Sequence, residues 1–191
     1  YIQHKRSLTD KLDLTLGARY DYAKYDFENH LGVYGDIGHG KISIEDRKDD
    51  FSHLSPKASL NYHLSEDSSV YLRYANSFRL PSAGSLYHLT VKDDGDAKAV
   101  DPETSDTYEL GYKANWQTVS FDTAIYYMDV DDGIVHAYND SGLRYLTNAS
   151  RVIHQGFEAA MQWEINDQFN LSTAYTQAKH EFDEHDEYSG N

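Results

Sequence analysis

Three places in the chain carry residues whose types and spacing suit chemistry. Arg73 and Arg79 recur on one face of an alternating segment, with Tyr71 beside them. Their guanidinium forks match the geometry of carboxylate-type oxygens. In "KHEFDEHDE" (179–187), His180, Glu181, Asp183, His185 and Asp186 stand together, and imidazole with carboxylate suits zinc, nickel or iron. An exposed loop rich in acids is ordinarily just solvated, so no metal site is assigned; His180 and His185 are the ligands such a site would use. "DVDDG" (129–133) looks superficially like a calcium loop, but the ligand spacing is wrong and the closing glutamate is missing. It reads better as the outer end of a strand. With no cysteine there is no disulfide framework, thiolate metal site or cysteine nucleophile. Gly-x-Ser-x-Gly, His-Glu-x-x-His and P-loop patterns are absent too.

What positions these residues follows from the bulk properties. A formal charge of −15 speaks against nucleic acid, which requires a basic footprint. The longest uninterrupted apolar run, Ala124 to Met128, falls far short of the ~20 residues of a membrane-spanning helix. The chain opens in "YIQHKRSLTDKLDLTL", which reads as strand, turn, strand, as the interior of a longer protein does. Mean hydropathy is low while tyrosine is abundant. A spanning β-strand escapes hydropathy averages because only alternate residues touch lipid.

A two-residue period marks seven windows: 12–22, 54–64, 70–80, 108–116, 119–127, 157–165 and 169–175. Their apolar faces hold 37 positions with no charge, whereas the 30 intervening positions hold eleven. That contrast predicts strands with one face in an apolar medium and one in a polar medium. A soluble β-sandwich would also keep charge off its inner faces. Three features favour an up-and-down transmembrane barrel instead. Six windows have the length of a tilted strand crossing a bilayer. Aromatics such as Tyr20, Tyr62, Trp116, Trp163 and Tyr175 sit near window ends, as in interfacial girdles. Tight turns near 9–11, 65–68, 117–118 and 166–168 alternate with long polar stretches near 24–52, 81–106 and 130–145. On this reading Leu110, Tyr112 and Ala114 see lipid, and Glu109 and Lys113 see a polar interior. The fold class is therefore all-β, an antiparallel partial barrel.

"LSPKASLNYHLSEDSSVYLRYANSFRLPSAGSLY", "DPETSDTYELGYKANW", "FDTAIYYMDVDDGIV" and "YLTNASRVIHQGFEAAMQWEINDQFNLSTAYTQAKHEF" follow one another in order. Together they resemble the C-terminal half of the barrel of TonB-dependent outer-membrane receptors. Three elements carry the resemblance: Phe78-Arg79-Leu80-Pro81, then Pro102-Glu103 through Tyr108-Glu109-Leu110-Gly111, then Asn148 through Gly156-Phe157-Glu158. It implies that residues 1–191 supply about eight strands of a 22-stranded barrel in a bacterial outer membrane, the plug domain and closing strands lying outside the chain.

The resemblance further implies uptake of a ferric siderophore or similar scarce nutrient, with the TonB complex acting through the missing plug segment. Iron would arrive as a chelate, so no cofactor is expected. Arg73, Arg79, Tyr87 and His88 become candidate ligand contacts. Arg73 and Arg79 have a plainer reading, as ion-pair partners of the plug or of wall carboxylates such as Glu109. Lys57, Glu109, Lys113 and Glu158 are expected to face the barrel interior and plug. Some outer-membrane barrels are hydrolases with acids and histidines at the rim, but the spacing of His53 and His154 singles out no such set, and the chain is read as a non-enzyme. Two rivals remain at this point: a small self-contained barrel serving as adhesin, anchor or pore, and a soluble β-sandwich binding module.

Overall fold

The computed structural model describes residues 1–28, 30, 46–82, 100–138 and 144–182. They form eight strands: β1 (Ile2–Thr9), β2 (Leu12–Phe27), β3 (Arg47–Ser65), β4 (Ser68–Arg79), β5 (Glu103–Asn115), β6 (Val119–Tyr138), β7 (Arg144–Asn166) and β8 (Phe169–Phe182). All belong to one antiparallel sheet in the order β1-β2-β3-β4-β5-β6-β7-β8. Neighbours in sequence are therefore neighbours in space throughout, which is an up-and-down meander.

The tight turns have local causes. Three of the four follow a residue whose side-chain oxygen accepts a backbone N–H freed by the reversal, and the β5–β6 turn is closed by reciprocal backbone bonds between Trp116 and Val119 at 2.9 and 3.2 Å. Thr9 Oγ1 accepts from Lys11 N at 3.2 Å, and Ser65 Oγ from Asp67 N at 3.3 Å. Asn166 Oδ1 takes both Gln168 N at 3.0 Å and Phe169 N at 3.1 Å.

The two faces differ as the alternation predicts. Leu72, Leu110 and Ile125 are 53%, 46% and 54% exposed, so no second layer of this chain covers the apolar face among the described residues. That removes the sandwich, whose defining feature is such a layer. Nor does the sheet close on itself: among the described residues β1 pairs with β2 and β8 with β7. A self-contained eight-stranded barrel would need β1 and β8 to meet.

Strand lengths need correcting. β2, β3, β6 and β7 run well past the charge-free windows, and residues 130–145 are not a long loop. β6 and β7 stay paired out to Tyr138 and Arg144, leaving only 139–143 between them. "DVDDG" lies inside β6 rather than at its end, and Lys179 to Phe182, expected in a loop, are the last residues of β8. Beyond the windows charged and polar residues occupy both faces, so a ladder continues without the contrast that made the windows legible.

Of the buried apolar residues, Pro81 and Val100 flank the long connection between β4 and β5, Val130 and Val152 lie within β6 and β7, and Ala114 lies near the tight turn between β5 and β6. Val130 and Val152 are cross-strand partners, and nearby Asp132 adopts φ 56°, a left-handed conformation aspartate tolerates better than most residues.

Candidate functional site

The three sequence elements that carry the resemblance meet at the outer end of the sheet, where the long connections begin. Arg79, the last residue of β4, donates from Nη2 to Glu103 Oε2 at 2.5 Å, and the same carboxylate accepts Ile134 N of β6 at 3.1 Å. Asn148 of β7 accepts Asp101 N at 2.8 Å and donates to Asp101 O at 3.0 Å and Asp132 O at 2.6 Å. Only a side-chain amide provides an acceptor and two donors in this arrangement. Phe78-Arg79, Pro102-Glu103 and Asn148 thus fasten β4 through β7 together by side chain, where the backbone ladder alone would leave the connections free.

A second network runs along the polar face of β4, β5 and β6. Tyr71 lays its ring over Gly111, where an added Cβ would sit 2.3 Å from Cζ. The Tyr71 hydroxyl donates to Glu109 Oε1 at 2.5 Å, and Arg73 Nη1 lies 3.8 Å from Glu109 Oε2. Lys113 Nζ stands 5.3 Å from the Tyr71 ring centroid and donates to Asp122 Oδ2 at 2.8 Å. Gly156 repeats the arrangement under Tyr126, with Gln177 O 2.6 Å from a Cβ added there. Aromatic side chains thus roof the glycines of two of the elements, restoring cover that a glycine lacks in a strand.

Nearer β1 the face is basic. Arg19, Lys57 and Arg73 line a recess of about 370 Å³ with Ser55 and Ser77. Arg19 is held by Asp21 at 2.8 Å, and Lys57 reaches the Tyr1 hydroxyl at 3.1 Å. These pairs are largely exposed, so each contributes little stability and its charge stays available to a partner.

The expected residues fall as follows. Lys57, Arg73, Arg79, Glu109 and Lys113 share the polar face and carry the contacts just described. Arg73 and Arg79 both pair with wall carboxylates. Glu158 lies on the same face by alternation; its backbone oxygen accepts Thr123 Oγ1 at 2.8 Å. Tyr87, His88 and His185 lie outside the described residues. Sequence reasoning gave no site role to Arg19, which the fold brings to the basic recess. It also separated His154 from His180, which are directly opposed on β7 and β8 with their Nδ1 atoms in contact. No sequence signal short of the strand register finds that pair, because 25 residues separate them.

Beyond the charge-free windows two shifted groups mark this end. Burial pushes the His154 imidazole below its ordinary pKa and His180 adds to this, while the charge of Glu103 opposes it. Burial, reinforced by Asp101 and Asp131, raises the Asp132 carboxyl above the usual aspartate value.

Comparison with known proteins gives one consistent picture. The family model described as "TonB dependent receptor-like, beta-barrel" matches residues 1–191. The chain is 27% identical over 159 residues to a pesticin receptor of Yersinia enterocolitica, covering 83% of this chain and 22% of that protein. It is 26% identical over 195 residues to the ferric-pyoverdine 358 receptor of Pseudomonas putida, covering 95% of this chain and 21% of that protein. Among solved structures, the copper transporter OprC superposes with a TM-score of 0.73 at 16% identity, covering 93% of this chain and 28% of that one. At that identity the likeness shows the fold alone. The chain spans 22% and 21% of the length of these two curated relatives.

Proposed function

The chain belongs to the TonB-dependent receptor β-barrel family, and from that premise we propose that its sheet is one arc of a bacterial outer-membrane barrel that imports a ferric siderophore or a similar scarce nutrient. The observation that carries the reading is the single sheet with one uncovered face, free of charge within the seven windows, and one ion-paired face, in a chain the family model matches over residues 1–191.

In this reading the apolar face meets hydrocarbon and the polar face lines a lumen that holds a plug domain in the whole protein. The arc is about eight strands of 22. Free edges at β1 and β8 then pair with further strands of the same barrel, which removes the association hazard that open edges carry. Lys57, Glu109, Lys113 and Glu158 face the plug. Arg73 and Arg79 offer guanidinium to the anionic oxygens of the chelate or to plug carboxylates, and Tyr87 and His88 meet the substrate from the outer connection. Energy for release comes from the inner-membrane TonB complex pulling on the plug segment. The wall need not coordinate iron, since a siderophore brings its own ligands. The relatives support this cargo class by their names, a pyoverdine receptor and an aerobactin receptor among them.

The test is ferric-chelate binding by the full-length receptor in detergent micelles, followed by tryptophan fluorescence quenching across a panel of hydroxamate, catecholate and mixed siderophores. At least one ferric chelate should bind, and deletion should impair growth only under iron limitation. Growth lost on cobalamin or a glycan instead, with no ferric chelate bound, overturns the iron assignment.

A further inference from the structure

We infer that His154 and His180 form a binding site for a late first-row transition-metal ion on the polar face of the sheet, flanked by Met128. Register places the three in one row across β6, β7 and β8: Met128 pairs with His154, and His154 pairs with His180. They lie two positions along their strands from Tyr126, Gly156 and Ala178 respectively, so alternation puts all three side chains on the face where Tyr126 covers Gly156. The two imidazoles turn their Nδ1 atoms toward each other, with ring centroids 4.7 Å apart and planes at 72°.

Two ring nitrogens aimed at one point are half-way to chelation. In the neutral pair one nitrogen donates to the other, whereas an ion between them accepts both lone pairs. Metal–nitrogen bonds of ~2.0–2.1 Å require the rings to part only slightly, through side-chain rotation. Directly opposed side chains in an antiparallel ladder have β-carbons ~4.5–5.5 Å apart, so the Met128 thioether is within reach of the same ion. One step outward Val130 and Val152 are buried, giving the β6–β7 side of the row a dry flank, while His180 on β8 stays open to solvent and to an incoming ion.

The donor set selects the cation. Imidazole with thioether suits copper best, then nickel and zinc; calcium and magnesium require oxygen ligands. Among the described residues no three or more histidine, aspartate or glutamate side chains gather at metal-binding distance. The site therefore keeps coordination positions open to water or to a donor atom on an incoming substrate. It goes beyond the chelate reading, in which the ion arrives already wrapped.

The experiment is copper(II) titration of the full-length receptor in detergent micelles, read by electron paramagnetic resonance, with metal alone and no siderophore. One copper(II) per chain should show superhyperfine splitting from two nitrogens. His154→Asn and His180→Asn should each weaken binding roughly tenfold or more, as even outer-shell changes at metal sites cost that much. His4→Asn on β1 should leave it unchanged. Met128→Leu should spare copper(II) and weaken copper(I), measured by chelator competition. A wild-type spectrum without the two-nitrogen signature overturns the proposal before any variant is made. So does binding that survives in the His154→Asn/His180→Asn double variant with heat-modifiable mobility intact. Chelate binding is measured separately on the same samples, so its failure with copper binding intact would sink the transport reading alone.

Discussion

Replacing Gly111 by alanine tests whether Tyr71 is what requires the glycine. A β-carbon at Gly111 would lie 2.3 Å from Tyr71 Cζ and 2.4 Å from both Cε1 and the hydroxyl oxygen. All three atoms belong to the movable end of a side chain, so the ring swings away rather than the backbone. What is lost is the bond from the Tyr71 hydroxyl to Glu109 at 2.5 Å, along with the contact of Lys113 against the ring. A hydrogen bond to a charged group contributes ~1.5–3 kcal/mol. Alanine for glycine returns ~0.4–1 kcal/mol by restricting the unfolded chain. The balance is a destabilisation of about 0.5–2.6 kcal/mol. In a Tyr71→Ala background the obstacle is gone, so the same substitution should become neutral or stabilising. Guanidinium titration of the receptor in detergent micelles, read by the fluorescence of its tryptophans, measures both values. A Gly111→Ala change that costs the same with and without Tyr71, or that stabilises the parent, refutes the reasoning.

Other outcomes follow from the same contacts. Gly156→Ala should cost more than Gly111→Ala in that titration, because its β-carbon meets the backbone oxygen of Gln177 at 2.6 Å and β8 itself must give way. Asn148→Asp removes both donated bonds, to Asp101 O and Asp132 O, and sets a charge among acids. At ~0.5–1.5 kcal/mol per bond it should cost ~1–3 kcal/mol and speed amide exchange around residues 101 and 132. Asp132→Asn should stabilise at neutral pH. The folded state holds the Asp132 proton more tightly than the unfolded chain, so the penalty grows as pH rises above its ordinary 3.8 and vanishes below it. A wild-type-to-variant difference that persists unchanged at pH 2.5 would contradict that assignment.

Alternation made the two faces legible because charge is kept off one of them within the windows, and Leu72, Leu110 and Ile125 on that face do emerge uncovered. The turns at 65–68 and 166–168 were legible because Ser65 and Asn166 carry their own acceptors. Strand ends were not. Past Tyr127 and before Phe157 polar and charged residues fall on both faces, so the ladder of β6 and β7 has no compositional mark to set it apart from a loop. The motif elements could be read in order, but their convergence could not: Arg79 meeting Glu103, or Asn148 spanning Asp101 and Asp132, depends on register across four strands. The His154–His180 pair was hidden for the same reason.

Everything functional rests on which medium wets each face of the sheet. Nitroxide labels placed singly at Leu72, Leu110 and Ile125, and at Ala75, Thr107 and Ala124 on the opposite face, can be read in the full-length receptor reconstituted in bilayers. The first three should be relaxed by dissolved oxygen and shielded from a water-soluble nickel chelate. The second three should be shielded from oxygen. Nickel-chelate access at Leu72, Leu110 and Ile125 equal to that on the opposite face would mean that water or protein, not lipid, covers the charge-free side.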